Sequence, residues 1–187
     1  MSIHDDLHPV LSELADVLDR IDPADDARPT PCDAFDVAAL RAHVLQWLTS
    51  FATGLAHPTG QCPVTGVDVE GRGGDQVRLL AERIEGTRAH LPEQLVIGGE
   101  GLPVDLALGM ILGEYLVHGW DLSAATEQAW TPDEAACART ADLYRRMLTD
   151  EASRGSSFGP ALDVRPEASE LEKLLGVTGR DPSWTRC

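Results

Sequence analysis

Two ionisable side chains stand where the sequence is otherwise apolar. Between Leu106 and Trp120 only Glu114, Tyr115 and His118 can titrate, and Asp121 follows directly. The run is too long for a strand. As a helix at about 100° per residue it turns apolar side chains in nearly every direction, which predicts burial on most sides. Glu114, His118 and Asp121 nonetheless fall within about 60° of one another on that wheel. An unpaired carboxylate in such a place costs several kilocalories per mole or takes up a proton. One divalent cation would satisfy both a carboxylate and a neutral imidazole, and the i, i+4 spacing sets Glu114 and His118 over one turn. The competing reading is a buried Glu–His hydrogen bond with no metal. Asp121 is equally open: it either orients a ligand histidine through its second ring nitrogen or is an ordinary buried hydrogen-bonding residue.

Two ligands from one helix do not complete a centre, so a third must come from a facing helix. His43 is the candidate, on the flank of an apolar stripe beside Leu40 and Trp47. Taken alone, a histidine there is also consistent with a boundary residue held by ordinary partners. His4, His8, His57 and His90 lie near the N-terminus, in a Gly/Pro-rich connection or at a helix end, and are weaker choices. A His43, Glu114 and His118 set has the two-imidazole, one-carboxylate composition that leaves a coordination position open, as in catalytic zinc sites. The donors leave the metal open, since imidazole and carboxylate accept zinc, nickel, iron or manganese. An open position can hold water and make a hydrolase, or bind a thiol and deprotonate it. A non-catalytic metal-binding protein is the third reading.

The elements that must position these residues follow from periodicity. Ile3, Leu7, Val10, Leu11, Leu14, Val17, Leu18 and Ile21 recur at three- and four-residue steps and predict a first helix. Asp36 caps a second, with Phe35 and Leu40 placed as a hydrophobic staple and Val37 through Leu55 forming its apolar stripe. A Gly/Pro/Thr-rich connection runs from His57 to Gly74. Asp75 is expected to cap a third helix reaching Leu91, and Leu95–Ile97 to be briefly extended near the turn at Gly98 and Gly99. Pro103 opens the fourth helix, which runs to about Glu127. Thr131, Pro132 and Glu134 predict a capped fifth helix to Thr149. A short helix from Glu167 to Leu175 precedes the tail. Gly109, Gly113 and Gly119 are expected to permit close helix packing, and Trp47, Phe51, Trp120 and Tyr144 to be core, with Trp47, Phe51 and Tyr144 the candidates for lining a cleft. The fold class is therefore all-α: a four-helix bundle with one long crossover, covering about residues 1–150, and a small helical C-terminal appendage over 151–187, in one domain.

Composition narrows the partners. The chain has 187 residues, 43% hydrophobic and 25% charged, enough for one core without disulfides. Its formal net charge of −16 repels phosphate backbones and anionic lipid, which argues against nucleic-acid and membrane partners. The N-terminus has no basic and apolar leader pattern, and Leu106–Trp120 is too short to span a bilayer. Cys32, Cys62, Cys137 and Cys187 form no CxxC pair and read as free thiols of a reducing cytoplasm. A homodimer is compatible with a helical bundle and is not decided by the sequence.

The block Thr30-Pro31-Cys32-Asp33-Ala34-Phe35-Asp36-Val37, continuing through Leu40 and His43, resembles the N-terminal signature of DinB-like metal-binding proteins. It is most similar to the branch related to mycothiol-dependent maleylpyruvate isomerase. Glu114-Tyr115-Leu116-Val117-His118-Gly119-Trp120-Asp121-Leu122 is similar to that branch's second signature. Phe158-Gly159-Pro160 and Gly179-Arg180-Asp181-Pro182-Ser183-Trp184 resemble the ending of its short members. The resemblance implies a DinB-type bundle and a metal, usually zinc and sometimes nickel, on the residues matching His43, Glu114 and His118. It also favours a transferase or isomerase using a low-molecular-weight, mycothiol-like thiol against a small electrophile. Phe35 stands where tryptophan is frequent. The isomerase itself carries a further C-terminal domain that contributes to catalysis, and this chain ends in the shorter tail, so the resemblance does not carry over the isomerase reaction.

Overall fold

The computed structural model describes residues 3–155 and 157–185. The amphipathic N-terminal segment forms α1 (Ile3–Arg20), whose apolar face from Leu7 to Leu18 is buried. α2 (Val37–Leu55) begins where Asp36 accepts a hydrogen bond from the Ala39 N–H at 2.8 Å. The N–H groups of Val37 and Ala38 are taken by the carbonyls of Arg28 and Asp26, so the first turn leaves few donors unmet. α3 (Gly74–Glu85) packs against α1 and α2. α4 (Val104–Ala125) packs against α1, α2 and α5 (Glu134–Met147). Most of α4 is buried, including Ala107, Leu108, Ile111, Leu112, Tyr115, Leu116 and Leu122, as its all-round apolar pattern requires.

The chain is mostly helical but not wholly so. Between α3 and α4 a hairpin pairs β1 (Gln94–Ile97) with β2 (Glu100–Pro103), antiparallel, with Ile97 opposite Glu100. The extended piece expected at Leu95–Ile97 is its first strand. Gly98 and Gly99 make the two-residue turn with φ of 61° and 92°, a conformation that glycine adopts without steric cost. The connection between α2 and α3 lies along this hairpin, where Cys62 N–H donates to the Val96 carbonyl and Val96 N–H to that of Gly60.

Several helix boundaries differ from the expectations. α3 starts after Gly73, whose φ is 93°; Asp75 sits inside the first turn and is no cap, and the helix ends at Glu85, ahead of a 3₁₀ turn at Arg88–His90. α5 is capped by Asp133, which accepts from Ala136 N–H, and not by Thr131. Thr131 is taken instead by Glu13 of α1, whose carboxylate accepts from its N–H at 2.6 Å and its hydroxyl at 3.2 Å, while Glu134 accepts from the Glu170 N–H. A long-range partner has outcompeted the local capping box.

The C-terminal segment adds α6 (Glu151–Arg154) and α7 (Glu170–Thr178). α7 starts three residues later than expected because Ser169 and Glu172 form the reciprocal capping box. It packs against α5 and, less extensively, α4. The expected glycine contacts are present: Gly109 faces Leu143, Gly113 faces the Tyr144 ring and Gly119 faces the Trp130 indole. Trp130 is buried and donates from Nε1 to the Leu116 carbonyl at 3.1 Å. No helix among the described residues is long and apolar enough to cross a membrane.

Candidate metal centre

α4 carries Glu114 and His118 on one side, and α2 brings His43 to meet them. His43 Nε2 lies 3.0 Å from Glu114 Oε1, and His118 Nε2 lies 3.4 Å from the same oxygen. One potential ligand atom from each of the three residues lies within 4.8 Å of the others. His4, His57 and His90 lie outside this group: His4 is buried near Glu85, and His57 bonds Thr59 within its loop.

The loop before α2 builds one wall. Thr30, almost fully buried, has its hydroxyl within hydrogen-bond reach of the Cys32 and Phe35 carbonyls and accepts from the Cys32 N–H. This tight turn delivers Phe35 onto His43, ring centroids 4.6 Å apart, and edge-on to His118 at 6.4 Å. Phe35 therefore does more than lead into the helix: it packs on an imidazole of the cluster. Trp47 lies 6.5 Å from His43 and stacks on Phe51 at 5.4 Å. Both thus continue the aromatic wall, whereas Tyr144 turns away to donate to the Met110 carbonyl and meet Phe158.

Asp121 is fully buried, and its Oδ2 is 2.9 Å from His118 Nδ1. With His118 donating Nδ1–H to that carboxylate, the Nε2 lone pair is left facing Glu114. A lone pair aimed at a carboxylate oxygen is repulsive unless a proton or a cation lies between them. Burial would push the Glu114 carboxyl up, but His118 and His43, with Arg180 beyond, outweigh it and hold the pKa below the ordinary value. Burial would likewise push His118 down, but the carboxylates of Glu114 and Asp121 outweigh it and raise the ring above its usual 6.5. The cluster is thus built to hold positive charge between its ligand atoms.

The donor set fits a metal. Bonds of about 2.0–2.1 Å around a tetrahedral zinc place neighbouring ligand atoms about 3.4 Å apart, and 3.0 and 3.4 Å are found here. His118 is nearly buried, while the side chains of His43 and Glu114 are 23% and 29% exposed, so the cluster opens to solvent on one side. A second group, Cys32, His118 and Asp121, is comparably close. There, however, His118 already uses the nitrogen on that side for Asp121, and Arg180 sits 3.4 Å from the same Asp121 oxygen, a cation where a metal would have to approach. Burial also pushes the Cys32 thiol up, with Arg180 offsetting it only in part.

Arg180 and Cys32 are neighbours of the centre that residue spacing does not reveal. Arg180 and Cys32 lie within the motif-like segments of the sequence, but nothing local connects them to α4.

No curated protein and no solved structure matches the chain. A family model does match, over residues 7–123, a stretch that contains His43, Glu114, His118 and Asp121 together with the Thr30–Phe35 turn. That match covers well over half of the chain, His43, Glu114, His118 and Asp121 included, so the protein belongs to the mycothiol maleylpyruvate isomerase N-terminal domain family.

Proposed function

We propose that His43, Glu114 and His118 hold one divalent metal, zinc first and nickel second, and that the protein is a thiol transferase or isomerase-like enzyme. The thiol would be of low molecular weight, mycothiol-like, and the second substrate a small electrophile. The observation that carries this reading is the convergence of two imidazole Nε2 atoms on one carboxylate oxygen in a member of this family. Bound there, such an ion would supply Lewis acidity that favours a thiolate at neutral pH.

The chain's own residues have separable tasks in this proposal. Asp121 holds the Nδ1 proton of His118 and so leaves Nε2 free as a donor. Glu114 supplies the negative charge that a divalent ion requires. Phe35 packs on the His43 ring and, with Trp47 and Phe51, offers an apolar wall that excludes water from one side. The half-exposed edges of His43 and Glu114 mark the side from which a small molecule reaches the centre.

We read α1–α4 as a DinB-type four-helix bundle within a single domain spanning residues 1–187, working in the cytoplasm on small molecules. The acidic surface, at −16, suits neither nucleic acid nor anionic membranes. The test is elemental analysis of the purified protein beside His43→Ala, followed by thiol consumption across a panel of electrophiles. Stoichiometric metal lost in the variant, with thiol-dependent turnover, supports the proposal. Turnover without thiol would make the protein a hydrolase, and tight metal with no turnover a non-catalytic binder.

A further inference from the structure

The family match ends at residue 123, yet a side chain far beyond it reaches the centre from behind. Arg180 follows directly on α7. Gly179, with φ of 82°, closes that helix, and the Arg180 N–H returns to the Leu175 carbonyl at 2.8 Å, turning the side chain inward. A Cβ at Gly179 would also strike the Gly159 backbone, so the turn is seated tightly on the preceding loop. Arg154 ties the same parts together, donating to the carbonyls of Gly159, Val177 and Leu148.

The Arg180 side chain is buried, and Nη2 is 3.4 Å from Asp121 Oδ2. Its remaining contacts are poor: Nη1 is 3.5 Å from the Thr178 carbonyl, and Nε has no partner among the described residues. The guanidinium is therefore not placed there by local hydrogen bonding. What it meets is the fully buried carboxylate that orients His118, one of whose oxygens, Oδ1, also lacks a partner among the described residues. A buried carboxylate without a countercharge is costly, and among the described residues this one meets the His118 N–H and Arg180.

We propose that Arg180 is a positioning residue for the metal centre, so that docking of the C-terminal tail and metal binding at His43, Glu114 and His118 strengthen each other through Asp121. The inference rests on the metal reading above. Two physical effects of Arg180 on a bound cation have opposite signs. As a nearby positive charge it repels the ion, so removing it would tighten binding. As the partner that holds the Asp121 carboxylate aimed at His118 it supports the ligand, and loss of such an outer partner weakens metal affinity about tenfold or more. By linkage, the factor by which docking favours the metal is the factor by which the metal favours docking.

Zinc affinity of the full chain is measured by chelator competition for wild type, Arg180→Met, Arg180→Lys, Asp121→Asn and the Arg180→Met/Asp121→Asn double variant. Cobalt substitution supplies a spectroscopic signature of the ligand geometry. Hydrogen exchange over residues 176–184 is followed with and without zinc. The expected results are about a tenfold loss in Arg180→Met and a smaller one in Arg180→Lys. The cobalt spectrum of Arg180→Met should shift towards that of Asp121→Asn, and Arg180→Met should have little further effect once Asp121 is Asn. Zinc should slow exchange of the tail in wild type and leave it unchanged in Arg180→Met. Zinc binding by Arg180→Met as tight as wild type or tighter, or fully additive losses in the double variant, overturns the coupling while leaving the metal centre standing. A wild-type chain that takes up no zinc, or a His43→Ala chain that takes up as much, overturns the metal centre and the coupling together. If Arg180→Met does not fold, the Arg180→Lys affinity and the tail exchange in wild type decide.

Discussion

Acidification offers the sharpest test of how charge is arranged around His118. Metal binding needs the Nε2 lone pair of that ring, and protonation removes it. Burial works against the imidazolium, but Glu114 and Asp121 on either side outweigh burial and raise the ring above its usual 6.5. Below that pKa each pH unit therefore weakens apparent zinc affinity about tenfold, or about 1.4 kcal/mol. Between pH 6.5 and 5.5 His118 alone should cost about five- to tenfold, approaching that limit as its pKa rises. Stability of the metal-free protein runs the other way. The raised pKa of His118 stabilises the fold fully below the unfolded value of 6.5, and that contribution is lost as pH rises through the folded value. Glu114, whose pKa is lowered, contributes above its ordinary 4.5 and loses the contribution as pH falls through its folded value. The metal-free fold thus has both contributions between about pH 4.5 and 6.5, where zinc binds poorly, and the stabilisation gained on adding zinc should grow steadily from pH 5.5 to 7.5. Chelator-competition titrations and thermal melts with zinc or with EDTA at pH 5.5, 6.5 and 7.5 measure both trends. An affinity independent of pH over this range would refute the reasoning, as would a His118→Ala variant with an unaltered slope.

Three further outcomes follow from particular contacts. Phe35→Ala removes the ring packed at a tilt on His43; at about 0.5–1.5 kcal/mol for such a pair, zinc affinity should fall roughly 2- to 10-fold with the helical circular dichroism unchanged, and an unchanged affinity would show that this contact does not hold His43. Gly119→Ala places a methyl group against the Trp130 indole and should destabilise by about 1–3 kcal/mol in urea unfolding; a loss below the measurement error would mean that Trp130 moves aside freely. Burial pushes the Cys62 thiol up to about 11, and burial together with the acidic groups of Glu134, Asp133, Glu170 and Glu13 pushes Cys137 up to about 12. At pH 8 both should hold at least about a hundredfold less thiolate than an ordinary cysteine, and peptide mapping after iodoacetamide should find them largely unmodified until the protein is unfolded. Native-state labelling as fast as in denaturant would contradict their placement in the core.

Glu114 and His118 were legible because a helix has a fixed period: a carboxylate and an imidazole four residues apart in an apolar run share one face and stand out against their mostly buried neighbours. The same regularity marked α1, α2 and α4, the Asp36 cap and the strand at Leu95–Ile97, all set by interactions within a few residues. At α5 the structure departs from this local reading because a distant group intervenes. Glu13 of α1 drew Thr131 out of its capping box and left Asp133 to start α5. Phe35 turned onto His43 because the Thr30 turn and α2 pack beside α4. Arg180 meets Asp121 across 59 residues of sequence, a pairing decided by how α7 seats on α5 and α4. Local hydrogen bonds and periodicity determine which segments form elements and which side chains must find a partner. Only the packing of those elements decides which partner arrives, because buried charges are satisfied by proximity in space, and proximity between remote segments has no signature along the chain.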